Sequence, residues 1–169
     1  MKKSILFFFF LSMGFILNAQ VITKGDSQVN LGVGLSGWGI PVYANYEYGF
    51  SDVISGGVEG SYRSFSENHV DYNYKYSVIG VGAFANYHAN ELLSIPEPWD
   101  VYAGATLGYY IVNVKTDYDS TYNGGYAGGL SFGGQIGARY YFSDKMGVNL
   151  ELNGGSVVTG GKLGITIKL

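Results

Sequence analysis

From residue 28 onward this sequence keeps returning to one pattern, short segments in which every second residue is apolar or aromatic and none of those carries charge. Strand side chains alternate between two faces, so each segment writes one face without charge and one that is mixed. The charge-free face reads Val29, Leu31, Val33, Leu35; Val42, Ala44, Tyr46, Tyr48, Phe50; Ile54, Val58, Tyr62; and Ile79, Val81, Ala83, Ala85, Tyr87. It continues with Val101, Ala103, Ala105, Leu107, Tyr109, Ile111; Leu130, Phe132, Ile136, Ala138, Tyr140, Phe142; and Met146, Val148, Leu150, Leu152. The opposite face carries Asn30, Ser36, Asn45, Glu47, Glu59, Arg63, Thr106, Gln135, Arg139, Asn149, Glu151 and Asn153 among many glycines, and both arginines of the chain lie on it. Such a chain needs an apolar medium or core on one side of every strand.

The alternation predicts eight strands, at about 28–37, 41–50, 53–65, 75–89, 100–115, 126–142, 146–154 and 161–169. Composition agrees: 27 glycines, over twice the usual ~7% share, and 16 tyrosines with only 3 prolines weaken helices and favour sheets. "FSD" turns at Phe50–Asp52 and Phe142–Asp144 alternate with longer polar stretches after the third and fifth strands, an asymmetry of ends seen in outer-membrane barrels. "NELLSIPEPWD", residues 90–100, is the exception, long at the end expected to be short. The recurrence of Phe-Ser-Asp followed by an alternating strand with an inward glutamate, Glu59 or Glu151, suits successive hairpins in an up-and-down meander.

Two closed barrels carry this alternation: a soluble one with the apolar face inside, and a membrane one with that face outside. An eight-stranded interior is just wide enough for side chains to fill, so the bulky set would crowd it, whereas the glycine-rich set leaves room for Glu47, Glu59, Arg63, Arg139 and Glu151. With Lys162 these ionised groups balance, and an unpaired one would be costly. Aromatics collect at the short-turn rim, Tyr46, Tyr48, Phe50, Tyr87, Tyr140 and Phe142, where a girdle at the bilayer interface is expected. The fourth strand fits least cleanly, because Val78 and Phe84 point inward with its glycines.

The first residues read as an export signal: Lys2 and Lys3, an apolar run from Ile5 to Leu17, then "NAQ". That run is shorter than the ~20 residues of a membrane-spanning helix, so residues 1–20 are expected to be removed, with cleavage after Ala19 or Gln20, and residues 21–169 to form one barrel domain. Losing Lys2 and Lys3, and no acid, takes the formal charge from −3 to −5; no basic field for nucleic acid exists. The chain has no cysteine, so pairing and packing alone must hold an exported fold together.

The final segment, "GGKLGITIKL", sets Leu163, Ile165, Ile167 and Leu169 on one face and ends on a bare leucine. With the export segment, the "YYFSD" style of turn and this last strand, the whole chain after residue 20 resembles the small eight-stranded outer-membrane barrels of the OmpA and OmpX type. The resemblance implies an all-β, eight-stranded antiparallel up-and-down transmembrane β-barrel in a Gram-negative outer membrane, among membrane lipids and lipopolysaccharide. It also implies that the last strand is read by the barrel-assembly machinery through a polar residue, a glycine and two spaced hydrophobics, here Lys162, Gly164, Ile167 and Leu169, with Leu169 standing in place of the more usual terminal aromatic.

The remaining motifs point to no chemistry. "GVGLSG", Gly32–Gly37, and "GVGAFA", Gly80–Ala85, match nucleotide-loop spacing, but no helix follows to meet a phosphate, so their glycines are read as making room inside the barrel. His69 and His88 lie far apart, and the run from Asp117 and Asp119 has Tyr122 where a calcium loop needs glycine and Gly128 where it needs an acid. No serine is placed beside His88 and Glu91, so catalysis is not expected, nor any cofactor or metal. The expected role is structural or surface-interacting around a polar, plugged interior. Tyr72, Tyr74, Tyr118 and Tyr122, in loops at 66–74 and 116–125, would offer contact area to a surface partner. The alternatives are a narrow porin or an OmpW-like conduit for small hydrophobic compounds, and, from another class, a secreted soluble ligand-binding barrel.

Overall fold

The computed structural model describes residues 21–36, 39–69, 72–116, 128–157 and 159–169, and within the strands leaves aside the side chains at 67–69, 72–74 and 115–116. Eight antiparallel strands follow one another: β1 (Ser27–Ser36), β2 (Val42–Gly49), β3 (Ile54–His69), β4 (Tyr72–His88), β5 (Trp99–Thr116), β6 (Gly129–Tyr141), β7 (Met146–Gly155) and β8 (Gly160–Lys168). Each pairs with the next, and β1 closes onto β8 from Gln28↔Lys168 to Ser36↔Gly160, so the sheet is a barrel without an edge. That closure explains the ordered C-terminus: β8 is held on both sides, and the Leu169 amide donates to the Ser27 carbonyl at 3.0 Å.

The connections at 50–53, 89–98 and 142–145 share one end of the barrel with residues 21–26 and 169; that end is called lower here. Both "FSD" turns close alike, since Ser51 and Ser143 accept at their hydroxyls from the amides of Ile54 and Met146 at 3.0 and 2.9 Å. The long connection after β4 holds a single turn of helix, α1 (Asn90–Leu93), and Asn90 ties it to β5 by accepting from the Val101 amide at 2.9 Å. Among the described residues no helix is long and apolar enough to cross a bilayer.

The faces separate as the alternation requires. Along the belt of every strand the outward side chains are apolar and mostly exposed: Leu31, Val42, Val58, Val81, Leu107, Phe132, Leu150 and Leu163 mark the eight walls, with Phe132 at 67%, and the outward face turns polar only higher up, at Ser64, Ser66, Lys75 and Asn113. The inward set includes buried Gln28, Glu47, Asn86, His88, Asp100, Arg139 and Glu151. A water-soluble fold inverts this order, because exposed apolar patches beyond a few hundred Å² are rare on soluble monomers.

One expectation is corrected. The β3–β4 ladder runs up to His69↔Tyr72, so the stretch 66–74 is mostly paired strand rather than loop. The stretch reads as loop because it is polar nearly throughout, whereas a ladder of backbone hydrogen bonds needs no amphipathic pattern to persist.

Candidate functional site

The lower half of the lumen is filled by side chains that neighbouring strands deliver in register. Asp100 faces Arg139 across β5 and β6, Gln28 faces Glu47 across β1 and β2, and Ser55 faces Asn86 across β3 and β4. Strands β2 and β6 stand four places apart in a ring of eight, on opposite walls, yet Arg139 Nη2 reaches Glu47 Oε2 at 2.6 Å. Its Nη1 holds Asp100 Oδ2 at 3.0 Å, and the guanidinium lies 4.2 Å from the Tyr102 ring centroid. Glu47, 0% exposed, also accepts from Gln28 and Asn30 at Oε2 and from Ser55 and Asn86 at Oε1. A buried carboxylate is tolerable only when so provided. Tyr141 Oη donates to Gln28 Oε1 at 2.8 Å, and Gln135 Nε2 to Asn86 Oδ1 at 2.5 Å, further bridges between walls. Beneath them, buried Ile22 packs against Gly49 at the lower mouth.

Within this layer Ser55, His88 and Asp100 stand in the order of a hydrolytic triad: Asp100 Oδ1 lies 2.7 Å from His88 Nδ1, and His88 Nε2 lies 2.8 Å from Ser55 Oγ. The hydroxyl's single proton decides what the trio can do. Ser55 Oγ lies 2.5 Å from Glu47 Oε1, an acceptor-only carboxylate in its ion pair with Arg139, so the proton points there and His88 Nε2 must donate to Oγ. An imidazole that donates to the serine cannot take its proton. Ser55 is also 0% exposed, with no room for a substrate carbonyl.

A second charged layer lies higher. Lys162 Nζ sits 2.7 Å from both Glu59 oxygens and 3.0 Å from Glu151 Oε1, joining β8 to β3 and β7, and Glu151 and Lys162 are directly opposed in register. Tyr43 Oη donates to Asn149 Oδ1 at 2.7 Å and Tyr102 Oη to Glu151 Oε2 at 3.0 Å. Inward tyrosines lie over glycines of the adjacent strand: Tyr110 opposite Gly80, Tyr102 opposite Gly137 and Tyr141 opposite Gly147. A Cβ built on Gly80 falls 2.6 Å from the Tyr110 ring, and one on Gly137 overlaps the Tyr102 ring. The glycines are therefore seats for rings, covering the backbone as aromatic residues do when paired with strand glycines. Arg63, 4% exposed, donates to Ser36 Oγ at 2.8 Å with its guanidinium 5.9 Å from the Tyr110 ring.

Glu47, Glu59, Arg63, Arg139 and Glu151 thus all face the lumen, divided between two layers. Tyr46, Tyr48, Phe50, Tyr87 and Phe142 lie outside and exposed toward the lower end, while Tyr140 is half-buried against Trp99, their ring centroids 4.8 Å apart. Of the last-strand residues, Ile167 and Leu169 face outward; Lys162 and Gly164 face inward, Gly164 beneath the Tyr43 hydroxyl. The 1–20 segment and the 116–125 loop, but for Thr116, lie outside the described residues, as do the side chains of His69, Tyr72 and Tyr74. The expectation that no serine stands beside His88 is corrected, since pairing of β3 with β4 brings Ser55 to it and Asp100, not Glu91, is its acid. Asp100, Gln28, Asn86 and the inward tyrosines belong to the site without having stood out in the sequence, although the parity of β4 and β5 already puts Asn86, His88, Asp100 and Tyr102 on the side of the glycines.

Eight antiparallel strands closed in chain order, apolar outside and ionised within, define the architecture of the small outer-membrane barrel. Solved structures of that kind are similar to this chain. A de novo designed transmembrane β-barrel aligns with a TM-score of 0.54 and 15% identity over 89% of this chain and 100% of the other. The N-terminal β-barrel domain of Pseudomonas aeruginosa OprF aligns with a TM-score of 0.52 and 11% identity, covering 86% of this chain and 98% of that one. Neisserial surface protein A aligns at 0.52 and 15%, covering 85% and 94%. At these identities the likeness is one of fold. No protein-family model matches the sequence, and no curated protein matches it.

Proposed function

We propose that this chain is a non-enzymatic integral outer-membrane protein with a sealed lumen, serving the envelope as a structural or surface-contacting barrel after removal of residues 1–20. The observation that carries the reading is the pairing of an apolar, exposed exterior on all eight strands with the Arg139 to Glu47 bridge between opposite walls. In lipid every backbone polar group must be satisfied internally, which a closed barrel achieves. Hydrogen-bonded charges across the bore support a lumen closed to ions on this reading. The exposed exterior counts against a soluble binding barrel, and the bridged lower half against a pore or conduit along the axis.

On this reading the aromatics at the lower rim sit among headgroups and face the periplasm, membrane lipids and lipopolysaccharide surround the belt, and Lys162, Gly164, Ile167 and Leu169 present the last strand to the assembly machinery. The upper end of the β3–β4 hairpin and the stretch 116–125 face the outside on this reading and are the place for a surface partner. Two measurements test it. The membrane-extracted protein should migrate differently before and after boiling in mild detergent, and in planar bilayers it should give no steady conductance. Identical mobility overturns the barrel in lipid, and stable openings overturn the seal.

A further inference from the structure

The upper lumen is a different environment from the lower. There Gly34, Gly80, Gly82, Gly108 and Gly160 take several of the inward positions, and the missing side chains leave a cavity above Tyr43, Glu59 and Lys162. The cavity, about 80 Å³ on a scale on which a single water needs roughly 10–15 Å³, holds several waters and has room for a small ring-sized molecule.

Its chemistry narrows the occupant further. Tyr110, Tyr43 and Phe84 supply ring surface, while Ser61, Thr106, Ser131 and Asn153 line the cavity with hydroxyl and amide groups. The Asn153 Oδ1 is buried and has no hydrogen-bond partner among the described residues. Glu59 and Lys162 are already saturated by each other, and with Glu151 and Arg63 the charges around this space cancel. An ion gains little from charges that already balance and pair with one another, whereas a neutral molecule with a C–H face and a hydroxyl rim matches both rings and polar groups. We propose that the upper lumen is a binding site for a neutral, hexose-sized polyhydroxyl ligand, taken from the upper end. This does not depend on whether the barrel conducts or on what its outer loops contact.

The test is NMR of the full-length product isolated from membranes in dodecylphosphocholine, a detergent without a sugar headgroup. Glucose, N-acetylglucosamine and methyl mannoside are titrated beside charged glucuronate and glucosamine. Neutral sugars should move the backbone amide signals of Ser61, Gly82, Gly108 and Tyr110 along saturable curves in the millimolar range, with the charged pair weaker by about tenfold. Thr106→Leu, which fills the cavity, should abolish saturation while heat-modifiable mobility persists; Ser131→Leu serves if the first variant does not fold. Saturation by free hexoses alone assigns a solute, and saturation also by an oligosaccharide cut from lipopolysaccharide assigns a glycan terminus; either supports the site. Linear, unsaturated shifts with every neutral sugar, equal binding of the charged sugars, or saturation that survives cavity filling overturns it.

Discussion

Replacing Arg139 by methionine tests whether the lower lumen is as dry as its contacts imply. The substitution keeps an unbranched stem above Tyr102 and removes the guanidinium that lies 2.6 Å from Glu47 and 3.0 Å from Asp100. Breaking a buried pair by deleting one partner costs about 3–5 kcal/mol, because the other charge stays buried without compensation. Two features set this case toward the lower bound. Glu47 retains donors from Gln28, Asn30, Ser55 and Asn86, and Asp100 retains His88. We therefore expect a loss of about 3 kcal/mol, a factor on the order of 150 in the folding equilibrium. The assay is urea unfolding of the barrel in phospholipid vesicles, scored by the fraction that keeps its unboiled electrophoretic mobility. Glu47→Gln should lose less, about 1–3 kcal/mol, since Arg139 keeps Asp100. The double variant should fall short of the sum of the two by about 1–3 kcal/mol. A loss below about 1 kcal/mol for Arg139→Met, the worth of a solvent-exposed pair, would refute the reasoning, for it would mean that water already screens the bridge.

Leu150→Arg places a charge on the outward face of β7; in lipid at mid-depth it should cost about 2–4 kcal/mol in the same vesicle assay, whereas near-neutrality, within about 0.5 kcal/mol, would indicate a water-facing wall. Gly137→Ala drives a methyl group into the Tyr102 ring and should cost about 1–3 kcal/mol, with Tyr102→Leu in the same chain recovering part of the loss; additive costs would show that the ring is not seated there. A fluorophosphonate probe should leave Ser55 unmodified in the folded barrel, as read by mass spectrometry of the intact protein; covalent labelling at Ser55 would show that His88 does act as a base.

The faces are legible in the sequence because a lipid-facing strand must be free of charge at every second position, and that requirement is local. Arg63 and Arg139 can be assigned inward from their own strands alone. Partners are not legible, because they depend on register between strands and on reach across the bore. Glu151 and Lys162 become a pair only once β7 and β8 are aligned, and Glu47 finds Arg139 only once β2 and β6 face each other. Asp100 is hidden for a related reason: it ends "NELLSIPEPWD", whose prolines and leucines blur the start of β5, and a residue at a strand's beginning has neighbours of known parity on one side only. For the tyrosines, parity is the better guide than composition. Tyr102, Tyr110 and Tyr141 suit a lipid-facing wall by composition, yet a glycine across the ladder gives each a place inside.

The two halves of the lumen arise from where the sequence places its large inward residues. Near the lower end they are Gln28, Glu47, Asn86, His88, Arg139 and Tyr141, and every one of them bonds to another strand. Higher up, Gly34, Gly80, Gly82, Gly108 and Gly160 stand between the large inward residues Lys162, Tyr110 and Arg63 and leave the cavity among them. Cross-strand and cross-lumen bonds are what resist opening of the sheet, and the lower network supplies them from one wall to the other. The same arrangement separates two demands on one small barrel. The lower half ties opposite walls together across the bore, and the upper half keeps a hollow beside its own Glu59–Lys162–Glu151 bridge.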